Sequence, residues 1–253
     1  LHDGRQFLGE MYAFSLTPSL ALTSMAVPPR QRGAVLAAGA SSFRDLASLP
    51  LVPQELDGIA KDGPTDVYLN QTFTPSVVLN QATSDRYQRV HLATHADFSA
   101  GGSSKAKLYT GNGQLSLKDF LALRQRRKDN PLELFALSAC RTALGDNETE
   151  LGFAGLALQA GARSAMGSLW YVDDVATSAF YLQFYRYLDQ GIPKAEALKA
   201  TRIALAQGLV RLDGDRVLGD RGVVLLSGLT AAQQRRIATG MTNPFFWAGI
   251  ELL

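Results

Sequence analysis

The sequence is poor in the residues that build disulfide frameworks and metal sites. Its 253 residues include one cysteine, Cys140, and three histidines, His2, His91 and His95. A single cysteine excludes an internal disulfide framework and any zinc site built from several cysteines. With so few histidines, we also expect no metal and no cofactor. One reactive combination remains open, because a lone cysteine with a histidine upstream can form a nucleophile and its base.

The sequence also lacks an excess of charge of one sign. It contains 25 Lys and Arg against 23 Asp and Glu, a formal net charge of +2. This balance provides no polybasic surface, so we expect neither nucleic acid nor a membrane as a partner. Apolar residues make up 46% of the chain. That content is enough to fill a sizeable core and excludes general disorder.

No uncharged stretch has the composition of a transmembrane helix. The longest, residues 11–29, is long enough to span a bilayer but contains three prolines and five Ser or Thr residues. Such residues are costly in hydrocarbon. Asp3 and Glu10 do not fit the basic start of a signal peptide. We therefore expect a cytoplasmic protein, and because the first residue is Leu1 rather than Met, we expect the C-terminal part of a longer one.

Short apolar segments alternate with helical ones. Six segments predict strands: 33–38, 66–69, 89–94, 132–139, 163–169 and 245–253. Thr74-Pro75 indicates one helix start, and Asp173 or Asp174 indicates another, of a helix that ends at Gly191. This order predicts an α/β fold with a mostly parallel sheet covered by helices on both faces. No Pro/Ser-rich linker divides the chain, so we expect a single domain over residues 1–253.

One long polar stretch predicts a mobile segment rather than a strand or helix. Residues 211–239 are rich in polar residues and Gly, and the Gly- and Asp-rich part at 213–220 indicates an irregular, mobile loop. We expect the same mobility of the acidic stretch at 146–150.

Two predicted strand ends carry reactive side chains. His95 falls where the strand at 89–94 ends, and Cys140 follows the strand at 132–139. Their separation, 140 − 95 = 45 residues, suits a strand end, a crossover with its helix and the end of the next parallel strand. Adjacent parallel strands lie about 5 Å apart, so side chains at their ends can meet. A thiol is mostly protonated at neutral pH, and a neighbouring imidazole accepts its proton and stabilises the thiolate.

Other groups in and near these strand ends have candidate roles or simpler interpretations. The backbone N–H groups of Cys140 and Ala96 are candidates for binding an oxyanion. A lone cysteine after an apolar strand is more commonly a small buried apolar residue. His91 lies inside the strand, and we interpret it as a hydrogen-bonded core histidine.

Several short segments together resemble one family. They are Val90–His95, Leu137–Ala143, 160–163, 167–174, 243–248 and 18–20. These segments are similar to the signature blocks of the CHAT domain, a caspase-like domain often joined to tetratricopeptide repeats. The resemblance extends over nearly the whole chain. Each block alone is short, and the combination is what makes the resemblance specific.

The resemblance implies a fold, an activity and a form of control. The fold is a caspase-like three-layer α/β sandwich with a mostly parallel sheet of about six strands. His95 matches the general base and Cys140 the nucleophile of a cysteine endopeptidase that cleaves a protein or peptide through a thioester. An upstream tetratricopeptide-repeat region or a partner protein would control it. The alternative is a catalytically weak or inactive caspase-like scaffold that binds other proteins.

One departure from the family favours the scaffold alternative. The family usually has Gly after the base, where this chain has Ala96. If that position requires a positive φ, Ala costs roughly 1 kcal/mol or more and shifts the backbone N–H.

Three residues after the strand at 163–169 are candidates for the substrate pocket: Trp170, Asp173 and Asp174. The simpler interpretation of the two aspartates is capping of the following helix. The related separases resemble this stretch, but the acidic residue associated with their arginine preference falls at Ser178. The sequence therefore favours a basic residue before the cleaved bond only slightly over an apolar one.

Overall fold

The structure, a computed structural model, describes residues 3–17, 33–61, 63–97, 107–116, 119, 127, 130–139, 157–158, 161–170 and 173–253. The strands, in chain order, are β1 (Ala34–Gly39), β2 (Thr65–Leu69), β3 (Tyr87–Ala93), β4 (Ala96–Asp97), β5 (Lys107–Tyr109), β6 (Gln114–Ser116), β7 (Leu134–Ser138), β8 (Ala165–Ser168), β9 (Arg211–Asp213), β10 (Arg216–Leu218), β11 (Val224–Leu226) and β12 (Ile250–Leu252). The helices are α1 (Leu8–Met11), α2 (Val52–Ala60), α3 (Pro75–Ala82), α4 (Asp174–Asp189), α5 (Lys194–Ala206) and α6 (Ala231–Ile237).

A six-stranded sheet forms the centre of the fold, in the order β12-β8-β7-β3-β1-β2. Five of its strands run parallel to one another, namely β1, β2, β3, β7 and β8. β12 pairs antiparallel with β8 at one edge. The predicted fold class, α/β with a mostly parallel sheet of six strands, is therefore confirmed.

The alternation of side chains along β1 shows how the sheet is covered on both faces. Every residue of β1 is buried. Val35 and Ala37 belong to an apolar cluster that also contains residues of α2, α4 and α5. Leu36 and Ala38 belong to a second cluster, which contains residues of α3. Because successive side chains of a strand point to opposite faces, the helices of the two clusters lie on opposite sides of the sheet.

The predicted helix ends are confirmed where the chain is described. Thr74 precedes α3, and its side chain accepts a hydrogen bond from the backbone N–H of Val77 at 3.1 Å. Pro75 occupies the first position of the helix, where a missing N–H costs nothing. At the end of α4, Gly191 has φ +84°. This left-handed conformation at the end of a helix is typical of glycine.

The prediction of an irregular loop at 213–220 is wrong. β9 and β10 form a hairpin, and β11 completes an antiparallel three-stranded sheet. Gly214, with φ +62°, lies in the two-residue turn between Asp213 and Arg216. Gly at the first central position is typical of such a turn. Val217 of this sheet is fully buried in the apolar cluster of α4, so the segment packs as part of the core.

Among the described helices, none has both the length and the apolar character needed to cross a bilayer. The acidic stretch at 146–150 lies outside the described residues.

Candidate active site

His95 lies at the carboxyl edge of the central sheet, beside the end of β7. Ala93, the last residue of β3, pairs with Ser138, the last residue of β7. The connection continues one residue further, since the backbone N–H of Thr94 donates to the carbonyl oxygen of Ser138 at 3.2 Å. The Thr94 hydroxyl donates to the carbonyl oxygen of Tyr109 at 2.6 Å. These bonds fix the backbone immediately before His95.

The imidazole of His95 is oriented by two contacts. Its Nε2 lies 2.8 Å from the carbonyl oxygen of Ala47. Its ring lies against Phe43, with ring centroids 4.8 Å apart. A carbonyl oxygen only accepts hydrogen bonds, so Nε2 carries the proton. In the neutral ring, Nδ1 then has the lone pair that a general base needs.

The backbone of Ala96 is unstrained. Among the described non-glycine residues, positive φ occurs at Asn70 and Arg221 and not at Ala96. Ala96 instead begins β4 and pairs with Leu108 of β5. The cost that the sequence suggested for Ala at this position therefore does not apply.

The pairing of β4 also orients the Ala96 N–H. The backbone N–H of Tyr109 donates to the carbonyl oxygen of His95 at 3.0 Å. In an antiparallel ladder, hydrogen-bonded and non-hydrogen-bonded pairs alternate. The neighbouring pair, Ala96 with Leu108, is therefore a non-hydrogen-bonded one, and the Ala96 N–H points away from β5.

Cys140 lies outside the described residues, so the predicted contact between its thiol and His95 stays a prediction. The chain leading to it is described as far as Ala139. The Ser168 hydroxyl donates to the carbonyl oxygen of Ala139 at 2.8 Å. The Tyr181 hydroxyl donates to the carbonyl oxygen of Leu137 at 3.0 Å. Side chains from β8 and α4 thus anchor the end of β7.

A cavity of about 100 Å³ opens beside His95. It lies between the carboxyl ends of β3 and β7 and the first turns of α2 and α4. Its wall includes Ala139, and its polar lining includes Glu55, Asp174 and Ser178. The cavity is therefore bordered by the predicted base, by the residue before the predicted nucleophile and by two acidic residues.

Glu55 connects three elements behind this cavity. It is 1% exposed. One carboxylate oxygen lies 2.8 Å from Nε2 of His91, and the other accepts a hydrogen bond from the Ser178 hydroxyl at 2.6 Å. The interpretation of His91 as a hydrogen-bonded core histidine is thus confirmed, since the residue is fully buried.

Sequence reasoning missed Glu55, although a signal exists. Val52, Leu56 and Ile59 form the buried face of α2 at helical spacing. Glu55 lies on that same face. An acidic residue within an apolar helix face requires a partner, because a buried charge is costly unless it is paired. The helical spacing of the apolar residues in α2 could therefore have identified Glu55 from the sequence.

Asp173 and Asp174 share one cation but differ in position. Asp173 is the N-cap of α4 and accepts hydrogen bonds from the backbone N–H groups of Val175 and Ala176 at 2.9 and 3.3 Å. Arg236 donates from Nε to Asp173 at 2.6 Å and from Nη2 to Asp174. Asp174 lines the cavity. Burial, followed by the nearby charge of Asp173, raises the pKa of Asp174 above its ordinary value, although Arg236 opposes the shift.

Trp170 makes its described contacts away from the cavity. Its indole N–H donates to the carbonyl oxygen of Phe245 at 2.9 Å. Its ring covers Gly249, where a Cβ atom would come within 2.5 Å of it. Of the three pocket candidates, Asp174 is the one that lies in the cavity lining. Within the described ranges, no cluster of His, Cys, Asp and Glu could hold a metal ion.

The whole chain, residues 1–253, matches the CHAT domain family. The protein belongs to this family. The signature blocks of the CHAT domain therefore identified the family correctly from sequence. No curated protein sequence is significantly similar to the chain.

Solved structures of cysteine peptidases show a distant likeness to this CHAT domain. The Arg-specific cysteine proteinase gingipain R has a TM-score of 0.45 at 15% identity, over 67% of this chain and 41% of that one. The complex of Porphyromonas gingivalis RgpB pro- and mature domains gives 0.42 at 11%, over 67% and 42%. Caspase-1 from Spodoptera frugiperda gives 0.45 at 13%, over 72% and 81%. The chain thus matches about two-fifths of each gingipain chain.

Proposed function

We propose that this chain is a cysteine endopeptidase in which His95 is the general base and Cys140 the nucleophile. One observation carries the proposal, namely the parallel pairing of Ala93 with Ser138. His95 and Cys140 each follow their member of this pair by two positions, 95 − 93 = 2 and 140 − 138 = 2. Equal offsets from paired residues favour side chains that meet at the same edge of the sheet.

The proposed reaction begins with transfer of the Cys140 thiol proton to Nδ1 of His95. The thiolate then attacks the carbonyl carbon of the cleaved bond, and the backbone N–H groups of Ala96 and Cys140 bind the resulting oxyanion. Collapse of this intermediate forms a thioester, and the imidazolium gives its proton to the leaving amine. His95 next removes a proton from water, and the hydroxide hydrolyses the thioester and restores the thiol.

The orientation of Ala96 supports this role for its N–H. Because the Ala96–Leu108 pair is not hydrogen-bonded, the ladder between β4 and β5 does not use that donor. The unstrained backbone of Ala96 also removes the argument that led to the scaffold alternative.

Control of the activity by an upstream tetratricopeptide-repeat region or a partner protein is a further part of the proposal. It rests on the family resemblance. The same holds for a protein or peptide as the natural substrate.

A peptidyl acyloxymethyl ketone, which alkylates activated cysteines, tests the proposed dyad. We expect an equimolar mixture of such probes, with varied residues before the reactive carbonyl, to add one label to the wild-type chain at Cys140. Labelling should be absent in Cys140→Ala. It should fall by roughly 100-fold or more in His95→Ala, because a general base contributes about that much.

Far-UV circular dichroism of each variant provides the control for folding. Both substitutions remove few atoms, so each variant should keep the wild-type spectrum. Absence of labelling in a folded wild-type chain by every probe of the mixture would contradict the peptidase proposal and favour the scaffold. Equal labelling of wild type and His95→Ala would remove His95 from the mechanism.

A further inference from the structure

We infer that Glu55 selects a cationic side chain, arginine or lysine, for the residue before the cleaved bond. This inference rests on the proposed peptidase function, because it assigns the cavity beside His95 to that side chain. The group that selects the substrate is then Glu55 of α2, and not Asp173 or Asp174. Ser178 occupies the position of the acidic residue that is associated with the arginine preference of separases, and its hydroxyl donates to the Glu55 carboxylate.

The charges around the cavity favour a cation. The lining residues include the acidic residues Glu55 and Asp174, and among the described lining residues there is no lysine or arginine. Arg236 lies behind Asp174 and is shared between Asp173 and Asp174. Arg236 thus pairs with two carboxyl groups, and Glu55 is a third acidic residue in this region. A cationic side chain in the cavity would gain charge-assisted hydrogen bonds, whereas an acidic one would be repelled.

His91 and Glu55 form a hydrogen-bonded pair, and the contacts of His91 indicate that Glu55 carries the charge. The Nδ1 atom of His91 is buried and has no hydrogen-bond partner among the described residues. The rings of Tyr181 and Tyr185 pack edge-on against the imidazole, with centroids 5.2 and 5.4 Å away. A protonated His91 would bury an unsatisfied N–H, which is costly. Neutral His91 donates from Nε2 and leaves Glu55 as the anion, and each carboxylate oxygen keeps a second lone pair for a ligand.

The wall of the cavity suits a side chain that has an apolar stem and a charged end. Leu49, Leu51 and Val52 line it beside the polar groups. Such a wall can cover the methylene stem of lysine or arginine while the charged end reaches a carboxylate.

Matched substrates that have nearly the same shape but differ in charge test this inference. Peptides with arginine before the cleaved bond are compared with the same peptides carrying citrulline, its neutral isostere. We expect wild type to prefer arginine in kcat/KM. In Glu55→Gln, the ratio of arginine to citrulline should fall by about 10- to 100-fold, since a charged hydrogen bond is replaced by a neutral one. Glutamine can still accept from His91 and bond Ser178.

Asp57→Asn is the matched control, because Asp57 is exposed on the same helix. This variant should keep the wild-type ratio. A second readout, which needs no turnover, is calorimetric binding of peptides ending in arginine or citrulline to Cys140→Ala. Glu55→Gln in that background should abolish the preference for arginine.

The outcomes separate the two proposals. Equal cleavage of arginine and citrulline peptides by wild type overturns the role of Glu55 and leaves the peptidase proposal intact. A preference for arginine that survives Glu55→Gln does the same. Preferential binding of arginine peptides without turnover or labelling supports the cavity assignment and contradicts the peptidase proposal.

Discussion

The buried group of Glu55, His91 and Ser178 is better explained by function than by stability. Taking a carboxylate out of water is costly, and the gain from its partners repays that cost only when the geometry is good. Apolar residues of similar size often serve a core as well or better. The side chain of Glu55 nevertheless borders a cavity next to the predicted base. A charge held at that place is useful when a ligand of opposite charge binds there.

The carboxyl group of Asp174 makes the stability of the fold depend on pH. Its pKa is raised, chiefly by burial and then by the charge of Asp173. A carboxyl group with a raised pKa binds its proton more tightly in the folded state. Stability therefore falls as pH rises from the ordinary aspartate pKa through the raised value. We expect Asp174→Asn to unfold at higher urea than wild type at neutral pH, and the difference to vanish below the ordinary aspartate range.

Asp57→Asn, on the exposed face of α2, should show no such pH-dependent difference in urea unfolding. If Asp174→Asn were instead the less stable protein at neutral pH, the ion pair with Arg236 would outweigh the cost of burying the carboxylate. The sign of the difference at neutral pH thus decides between these two effects.

At the level of secondary structure, local signals predicted the ends of helices well. Thr74 with Pro75, Asp173 and Gly191 act through bonds within a few residues, so a short stretch of sequence contains all of the relevant information. The strands β1, β7 and β8 were equally clear, because strands buried on both faces are mostly apolar. The edge strands were less clear: β2 is partly exposed, and β12 covers three residues of the predicted 245–253.

The rest of the fold depends on contacts between distant residues. The hairpin of β9 and β10 has a polar sequence, and its single fully buried residue, Val217, belongs to an apolar cluster that also contains residues of the distant helix α4. Glu55 meets Ser178 across 178 − 55 = 123 positions. No local pattern contains such a pairing. The strand ends predicted the place of His95, whereas the carboxylate of the cavity required the packed structure.

The N-cap of α3 provides a test of this local account. Thr74→Ala removes the side-chain acceptor for the Val77 N–H. We expect urea unfolding to show a loss of about 1 kcal/mol in the free energy of unfolding, the usual effect of removing a cap. The labelling of Cys140 should not change, because α3 covers the face of the sheet opposite to α2 and α4.

Thr74→Ser keeps the hydroxyl and is the matched control. This variant should retain most of the wild-type stability. A loss as large as that of Thr74→Ala would show that the methyl group of Thr74, and not its hydrogen bond, stabilises this end of the helix.

In the molecule as a whole, one apolar cluster connects the central sheet, including its edge strand β12, to the antiparallel sheet of β9, β10 and β11. It contains Val35 of β1, Val217 of β10, Ile237 of α6 and Ile250 of β12. The second cluster lies on the other side of the same sheet. Because the strands of the central sheet contribute side chains to both clusters, loss of one would expose the other face of those strands. We therefore expect the two to unfold together.

The two tryptophans allow a test of this cooperativity. Both lie near β12: Trp170 covers Gly249, and Trp247 packs edge-on against Phe7, with ring centroids 5.3 Å apart. Tryptophan fluorescence therefore reports on the edge of the sheet, whereas far-UV circular dichroism reports on all secondary structure. We expect the urea transitions measured by the two methods to coincide. In Trp247→Phe, the remaining tryptophan fluorescence comes from Trp170. A fluorescence transition at lower urea would mean that the β12 edge opens first, as a separate unit of lower stability.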